Sequence, residues 1–451
     1  MSPLAATLTD STVSLLAHGY AWAPDLRRAH HGAELVRTRL LGRPAVLLHG
    51  PAAVAFFYDE DHVLRHGALP RPVPETLFGR GAVHTLDGAP HRARKQLFVS
   101  LLMPPAAVTA LADRVAADWD AAVPGWAGRR VVLFDEVSTI LAQAVCDRSG
   151  LPVPDDAARE IAEDCIAMVE GFATPGPRHR RAVRARRRQE AALVRAVRDV
   201  RGEGPHADGL FAPSRHAGLA GSALETIARY RTPDGTPLDA RLAAVELLNI
   251  IRPTVAVTWF AVFAAHALHR DPAARDLLRT GGPAHARAFA HEVRRFYPFV
   301  PFVGGLAARD TVFDGAPISA GTLILLDVYG HHHDPDLWEE PYRFDPVRFL
   351  GREPAHDALI PQGGGDARTG HRCPGEDITV ALLGTLSRAL ADLDPAVATV
   401  PDQDLSIPLG RIPTRPRSGY LIDIDTDIDH VRPPDVRQPR RHHAPRIPRH
   451  P

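Results

Sequence analysis

The stretch Pro361-Gln-Gly-Gly-Gly-Asp-Ala-Arg-Thr-Gly-His-Arg-Cys-Pro-Gly-Glu376 sets one cysteine between a glycine-rich turn and an apolar helical run. Ala381-Leu-Leu-Gly-Thr-Leu386 continues at helical spacing, so the Cys373 sulfur lies close to a helix N-terminus. Unpaired N–H groups and the helix dipole there favour negative charge on sulfur. Gly363, Gly364 and Gly365 let the backbone adopt positive φ and come close to a flat ligand. A lone thiolate on such a loop suits the axial position of a haem iron, into which it pushes electron density. The plain alternative for a single cysteine is a buried structural thiol, but the complete loop around it favours the metal ligand.

Working outward, the chain of 451 residues is 45% hydrophobic and 24% charged with zero formal net charge. Length alone admits up to about three domains, or one large one. No charge excess points to a nucleic acid partner. Cys146, Cys165 and Cys373 show no CxxC spacing and leave one thiol necessarily unpaired, which argues for a reducing, cytoplasmic setting. The N-terminus lacks a basic region, and no run approaches the roughly 18 apolar residues of a membrane span, so no signal peptide or membrane anchor is expected. Of 53 basic residues only Lys95 is lysine, so arginine abundance carries no functional weight by itself.

Periodicity predicts a chain that is mostly α with a minor β region. Helices are expected over Ala52–Phe57, Val108–Trp119, Asp135–Arg148, Asp156–Phe172, Gln189–Arg201, Leu238–Leu268 and Ala284–Phe296. Ala45–Leu48, Ala307–Phe313 and Pro317–Asp327 read as strands. Pro- and Gly-rich stretches near 174–177 and 203–213 separate some of these elements. One large domain is expected over 1–428. The remainder, 429–451, is rich in Pro, Arg and His and reads as a disordered tail.

The thiol loop, Glu292-Val-Arg-Arg295 and Phe344-Asp-Pro-Val-Arg-Phe349 together resemble the haem-binding half of a cytochrome P450. More narrowly, the chain resembles the bacterial fatty acid peroxygenases of that superfamily, hydroxylases and a terminal-alkene-forming decarboxylase among them, over roughly residues 20 to 425. The resemblance implies the P450 fold as a single haem-thiolate domain, haem b on Cys373, and a buried structural network of Glu292, Arg295 and Arg348. Without it, Glu292 and Arg295 are only an i,i+3 surface pair.

The segment Glu246-Leu-Leu-Asn-Ile-Ile-Arg-Pro-Thr-Val-Ala-Val-Thr-Trp-Phe260, apolar onward to Leu268, carries past Glu246 one permanently charged residue, Arg252, followed at once by Pro253. A proline inside a helix costs about 3 kcal/mol and frees a carbonyl. Monooxygenases of the family carry an acid–alcohol pair here, and this chain has no acid beside Thr254. A buried guanidinium requires an anion, and Glu246, six residues away, lies nearly on another face. A substrate carboxylate held bidentately meets that need. It would also move a proton between the two oxygens of H2O2. Arg252 and Pro253 are therefore catalytic candidates, Arg252 binding the substrate as well.

The resemblance also implies His84 over the distal face with Phe78 before it, a pattern of the alkene-forming enzyme, in which imidazole donates a proton near neutral pH. His91, Lys95, Arg65 and His371 would hold the haem propionates. Phe172, Phe299 and Val300 are candidate walls of an acyl channel. The Arg180–Arg188 run reads as a solvated helix face, and His331-His-His333 as a surface turn. The implied activity is H2O2-dependent α- or β-hydroxylation of long-chain fatty acids, decarboxylation to terminal alkenes, or both, with no obligatory redox partner. The competing readings are a redox-partner-dependent P450 monooxygenase and a non-catalytic haem or fatty-acid-binding sensor.

Overall fold

Alternation along two short strands organises the sheet of this protein. In the computed structural model, which describes residues 10–172, 174–203, 211, 220–393 and 400–424, Arg43–Leu48 runs parallel to Leu323–Asp327 with Leu48 opposite Leu326. Val46, Leu48, Ile324 and Leu326 enter one apolar cluster. Ala45, Leu47, Leu323 and Leu325 enter another on the opposite face. This is the period-two burial of a strand covered on both sides. Leu35–Leu40, Phe302–Ala307 and Val63–Leu64 complete a five-stranded sheet, and all other pairings in it are antiparallel. The strands expected over Ala307–Phe313 and Pro317–Asp327 are each divided. Thr311–Phe313 and Ala316–Ile318 form their own hairpin, with Gly315 at φ 70° in the turn and Gly321 at φ 74° ahead of Leu323.

The rest is helical. Leu133–Arg148, Asp155–Gly171 and Gly282–Phe296 match their expected spans closely. One helix begins much earlier than expected, at Pro177 instead of Gln189, and runs to Arg201. Proline in its first turn and left-handed Gly202 at its end fit the asymmetry of helix termini. Its apolar stripe, Ala182, Ala185, Leu193 and Val197, is buried, and the arginines between these positions hid the stripe from a hydropathy reading.

The long central segment is helical over Ala240–Val255 and again over Val257–Arg270, with a break at Ala256. Pro253 lacks the N–H that would bond to Asn249, and the pattern slips to a shorter one as Trp259 N reaches Ala256 O at 3.2 Å. Contrary to the sequence expectation, this Ala240–Arg270 stretch is long and apolar enough to cross a bilayer. Here 94% of its apolar window is buried inside the protein, as the core helix of the fold. The tail expected over 429–451 lies outside the described residues.

Candidate active site

Around the thiol loop, charged groups are paired. Cys373 N donates to Gln362 O at 3.0 Å, and Gln362 is itself held by Arg294 Nε at 3.1 Å and by a bond to Thr379 Oγ1 at 2.8 Å. Glu376, in the first turn of the helix Glu376–Asp392, accepts from Arg294 and from Arg372 Nε, the latter at 2.6 Å. Lys95 Nζ donates to Arg372 O beside the cysteine. Behind the loop, Arg295 donates twice to Glu292, at 2.7 and 2.8 Å, and Arg348 Nε lies 3.2 Å from the same carboxylate. Glu292 and Arg295 are fully buried, so this is the internal network and not the surface pair.

Two expectations about the loop change. The helix terminus does not by itself yield a thiolate: desolvation raises the Cys373 pKa, against the lowering effects of the Gly375 N–H, Lys95 and Arg294. A coordinated metal deprotonates such a thiol outright. Gly363 and Gly365 do take positive φ, 97° and 72°. However, a Cβ on Gly363 would stand 2.9 Å from Tyr58 Oη, and one on Gly364 would stand 2.6 Å from Val54 Cγ1. The glycines therefore allow the helix Pro51–Tyr58 to pack on the loop.

On the central helix the pattern is reversed. Arg252 is 6% exposed, its Nε lacks a hydrogen-bond partner, and no carboxylate of the described residues pairs with it. Burial, then the nearby Arg186 guanidinium, lowers its pKa to about 10, so it stays charged at neutral pH. Glu246 is engaged elsewhere: it accepts from Arg94 Nη1 at 2.7 Å, Val83 N at 3.0 Å and Asn249 Nδ2 at 3.2 Å. The Thr254 hydroxyl donates back to Ile250 O at 2.8 Å, as a threonine inside a helix often does.

Phe78 ends the turn Pro74–Phe78. Its ring lies 4.5 Å from the His84 ring and 5.9 Å from the Arg252 guanidinium carbon, and its carbonyl accepts from Asn249 Nδ2 at 2.9 Å. The structure thus brings Phe78, His84 and Arg252 together. It overturns the expected titration of His84 near neutrality. Burial first, and Arg252 next, push its pKa down to about 3, so the imidazole is neutral.

Arg65, His91, Lys95 and His371 also converge. The His91 and His371 rings stack at 3.9 Å, and Arg65 Nη2 donates to Phe57 O at 3.1 Å. Arg65 Nη1, His91 Nδ1, His371 Nε2 and His84 Nδ1 are buried nitrogens without hydrogen-bond partners. Such donors beside an available thiol suit a haem, with Cys373 for the iron and the cationic side chains for its propionates. Phe299 packs on Phe260 at 4.3 Å and Val300 against the sheet cluster. Phe172 is half-buried at the end of Asp155–Gly171.

Two surface readings are corrected. His331, His332 and His333 are all buried. Their nitrogens bond separately, to Asp357 O, Ile360 N and Tyr329 O. Within Arg180–Arg188 most side chains are solvated, but Arg186 is 3% exposed. Sequence reasoning missed Arg186, Arg94 and Asn249. The signal available was helical phase, since Asn249 falls three residues from both Glu246 and Arg252.

A family model described as Cytochrome P450 matches residues 286–383, from the Glu292 helix through the thiol loop. Cytochrome P450SP alpha (CYP152B1), solved in complex with (R)-ibuprophen, is 38% identical with a TM-score of 0.84, covering 92% of this chain and 98% of that one. The chain belongs to the cytochrome P450 family. A variant of cytochrome P450 OleT in complex with arachidonic acid matches this P450 with a TM-score of 0.84 at 33% identity, covering 93% of this chain and 98% of the other. Among curated relatives, cyclooctat-9-en-7-ol 5-monooxygenase of Streptomyces melanosporofaciens is 26% identical over 412 residues, 84% of this chain and 87% of the relative. Family membership implies a haem-thiolate oxidoreductase.

Proposed function

We propose that this P450 is a peroxygenase that uses H2O2, without an obligatory redox partner, to oxidise long-chain fatty acids at the α or β carbon. Hydroxylation and decarboxylation to a terminal alkene are its two outcomes. The observation that carries this reading is Arg252, a buried guanidinium on the central helix with no carboxylate among the described residues to neutralise it. Leaving such a charge unpaired costs several kcal/mol, and a ligand carboxylate relieves it bidentately. (R)-Ibuprophen and arachidonic acid, held by the two similar structures, are both carboxylic acids.

Haem b, which Cys373 would hold through its sulfur, would supply the redox chemistry for splitting the O–O bond of H2O2 and oxidising the C–H bond. Arg252 anchors the carboxylate and keeps it ionised. That carboxylate then takes a proton from one peroxide oxygen and returns it to the other. Neither Thr254, whose hydroxyl is bonded to Ile250 O, nor Glu246, held by Arg94, supplies that function. Pro253 opens the backbone beside the anchor by removing one helical N–H. Fixing the acid at its head group leaves Cα and Cβ nearest the reacting centre, which sets regioselectivity. Phe78 and His84 wall this end of the site, and the neutral His84 offers hydrogen bonds and no imidazolium proton. His91, Lys95, Arg65 and His371 are assigned to the propionates, and Phe172, Phe299 and Val300 to the acyl wall. The unbridged Cys146 and Cys165 support a reducing, cytoplasmic setting.

A redox-partner-dependent monooxygenase lacks its acid–alcohol pair here, and a fatty-acid sensor would bind without turnover. The test is product analysis by mass spectrometry of the holoenzyme with a saturated long-chain acid and H2O2, without reductase. Hydroxy acid or terminal alkene is expected from wild type, with a loss of about 100-fold or more in Arg252→Ala. Full activity in Arg252→Ala, or no product from wild type, overturns the reading.

A further inference from the structure

Arg186 is another buried guanidinium near Arg252, and none of the roles above uses it. It projects from the inner face of the helix Pro177–Arg201, whose other arginines nearby are solvated. Nε donates to Glu190 Oε1 at 2.7 Å. Nη1 donates to two backbone carbonyls, Leu77 O at 3.0 Å and Thr76 O at 3.3 Å. Nη2 is buried without a hydrogen-bond partner and lies against Gly79, where a Cβ would meet it at 2.3 Å and Val245 Cγ1 at 2.5 Å. Gly79 also has φ 87°, so a glycine is required there for two reasons.

The turn Pro74–Phe78 is otherwise closed mainly on itself, through Gly79 N to Pro74 O at 2.9 Å and Thr76 Oγ1 to Pro72 O at 2.8 Å. Among the described residues Glu75 pairs with Arg71 and Arg80 beside it. Among the described hydrogen bonds, two side chains from the body of the protein grip the turn. Asn249 holds Phe78 O, and Arg186 holds the two carbonyls before it. The Phe78 ring lies 4.5 Å from the His84 ring and 5.9 Å from the Arg252 guanidinium carbon, so any shift of the turn moves the wall beside the carboxylate anchor.

We propose that Arg186 is a positioning residue: by clamping the carbonyls of Thr76 and Leu77 it sets where Phe78 stands against Arg252, and so which carbon of a bound acid is oxidised. This rests on the peroxygenase reading for its consequence, while the clamp itself is independent of it. Arg186 also adds positive potential beside Arg252, which strengthens the attraction for an anionic head group.

The test uses the haem-loaded enzyme and Arg186→Gln, with an unchanged thiolate spectrum of the reduced CO complex as the check on folding. Hydrogen exchange at the amides of Leu77–Gly79 is expected to quicken by about tenfold or more, as charged hydrogen bonds are lost. The ratio of α to β products, and of alkene to hydroxy acid, is expected to shift by about threefold or more. Glu190→Gln, which removes the charge from the acceptor of Nε but keeps both carbonyl bonds, is expected to move both readouts in the same direction by less. If Arg186→Gln does not fold, Glu190→Gln decides by the same two readouts. Unchanged exchange overturns the clamp, and faster exchange with an unchanged product ratio overturns the positioning role. If wild type oxidises no fatty acid, the functional reading falls, and exchange alone decides the clamp.

Discussion

The two sides of the haem site treat charge in opposite ways. Behind Cys373, Glu292 satisfies Arg295 and Arg348, while Glu376 satisfies Arg294 and Arg372. On the central helix, Arg252 has no acid partner among the described residues, and Glu246, six residues before it, is spent on Arg94. A paired buried charge mainly holds geometry, whereas an unpaired one is costly unless a ligand completes it. The first side is built as a support, and the second suits the anion receptor proposed above.

The largest break in this comparison is expected from Cys373→Ser, which removes the ligand that the paired network supports. It should abolish both the thiolate signature of the reduced CO complex and all turnover. Glu292→Ala comes next, because it strands Arg295 and Arg348 in the interior. A loss of about 3–5 kcal/mol is expected, read as a lower denaturation midpoint with poorer haem retention. A surface-like loss below about 1 kcal/mol would contradict the buried reading.

A pH series sharpens the contrast further. Burial pushes His331 and His333 down from 6.5 to about 4, and both lie in the segment whose His332 carbonyl accepts from Arg295. Between those values the unfolded chain binds protons that the native state refuses. Stability therefore falls as the pH drops from about 6.5 toward 4, by at most about 1.4 kcal/mol per pH unit for each histidine. Denaturant midpoints at several pH values check this. Arg252 keeps its charge across that window, so no weakening of fatty acid binding should come from the guanidinium. The smallest effect is expected from His84→Gln, a shift from alkene toward hydroxy acid with rate altered only a few-fold, measured by product ratio. An unaltered ratio would leave His84 as packing against Phe78.

Some of this was legible before any fold was known. The thiol loop and the Arg252–Pro253 pair are local patterns whose cost is visible in the residues themselves. His84, Arg65, His91, Lys95 and His371 were placed by family resemblance; the structure sets His84 beside Phe78 and draws the other four together. The titration of His84 and the burial of His331–His333 were misread, because desolvation depends on what packs around a ring. Arg186 was misread for a related reason, since ten arginines in one helix look alike until the helix is docked.

The order of residues alone determined that one cysteine stands at a helix start and that one cation interrupts an apolar helix, because both follow from covalent spacing. Only the tertiary structure decided which charges find partners. Glu246 meets Arg94 and Val83 across 152 and 163 residues of chain, and Arg186 reaches Leu77 across 109. No local rule governs pairings over such separations, since they arise when helices distant in sequence are packed into one core.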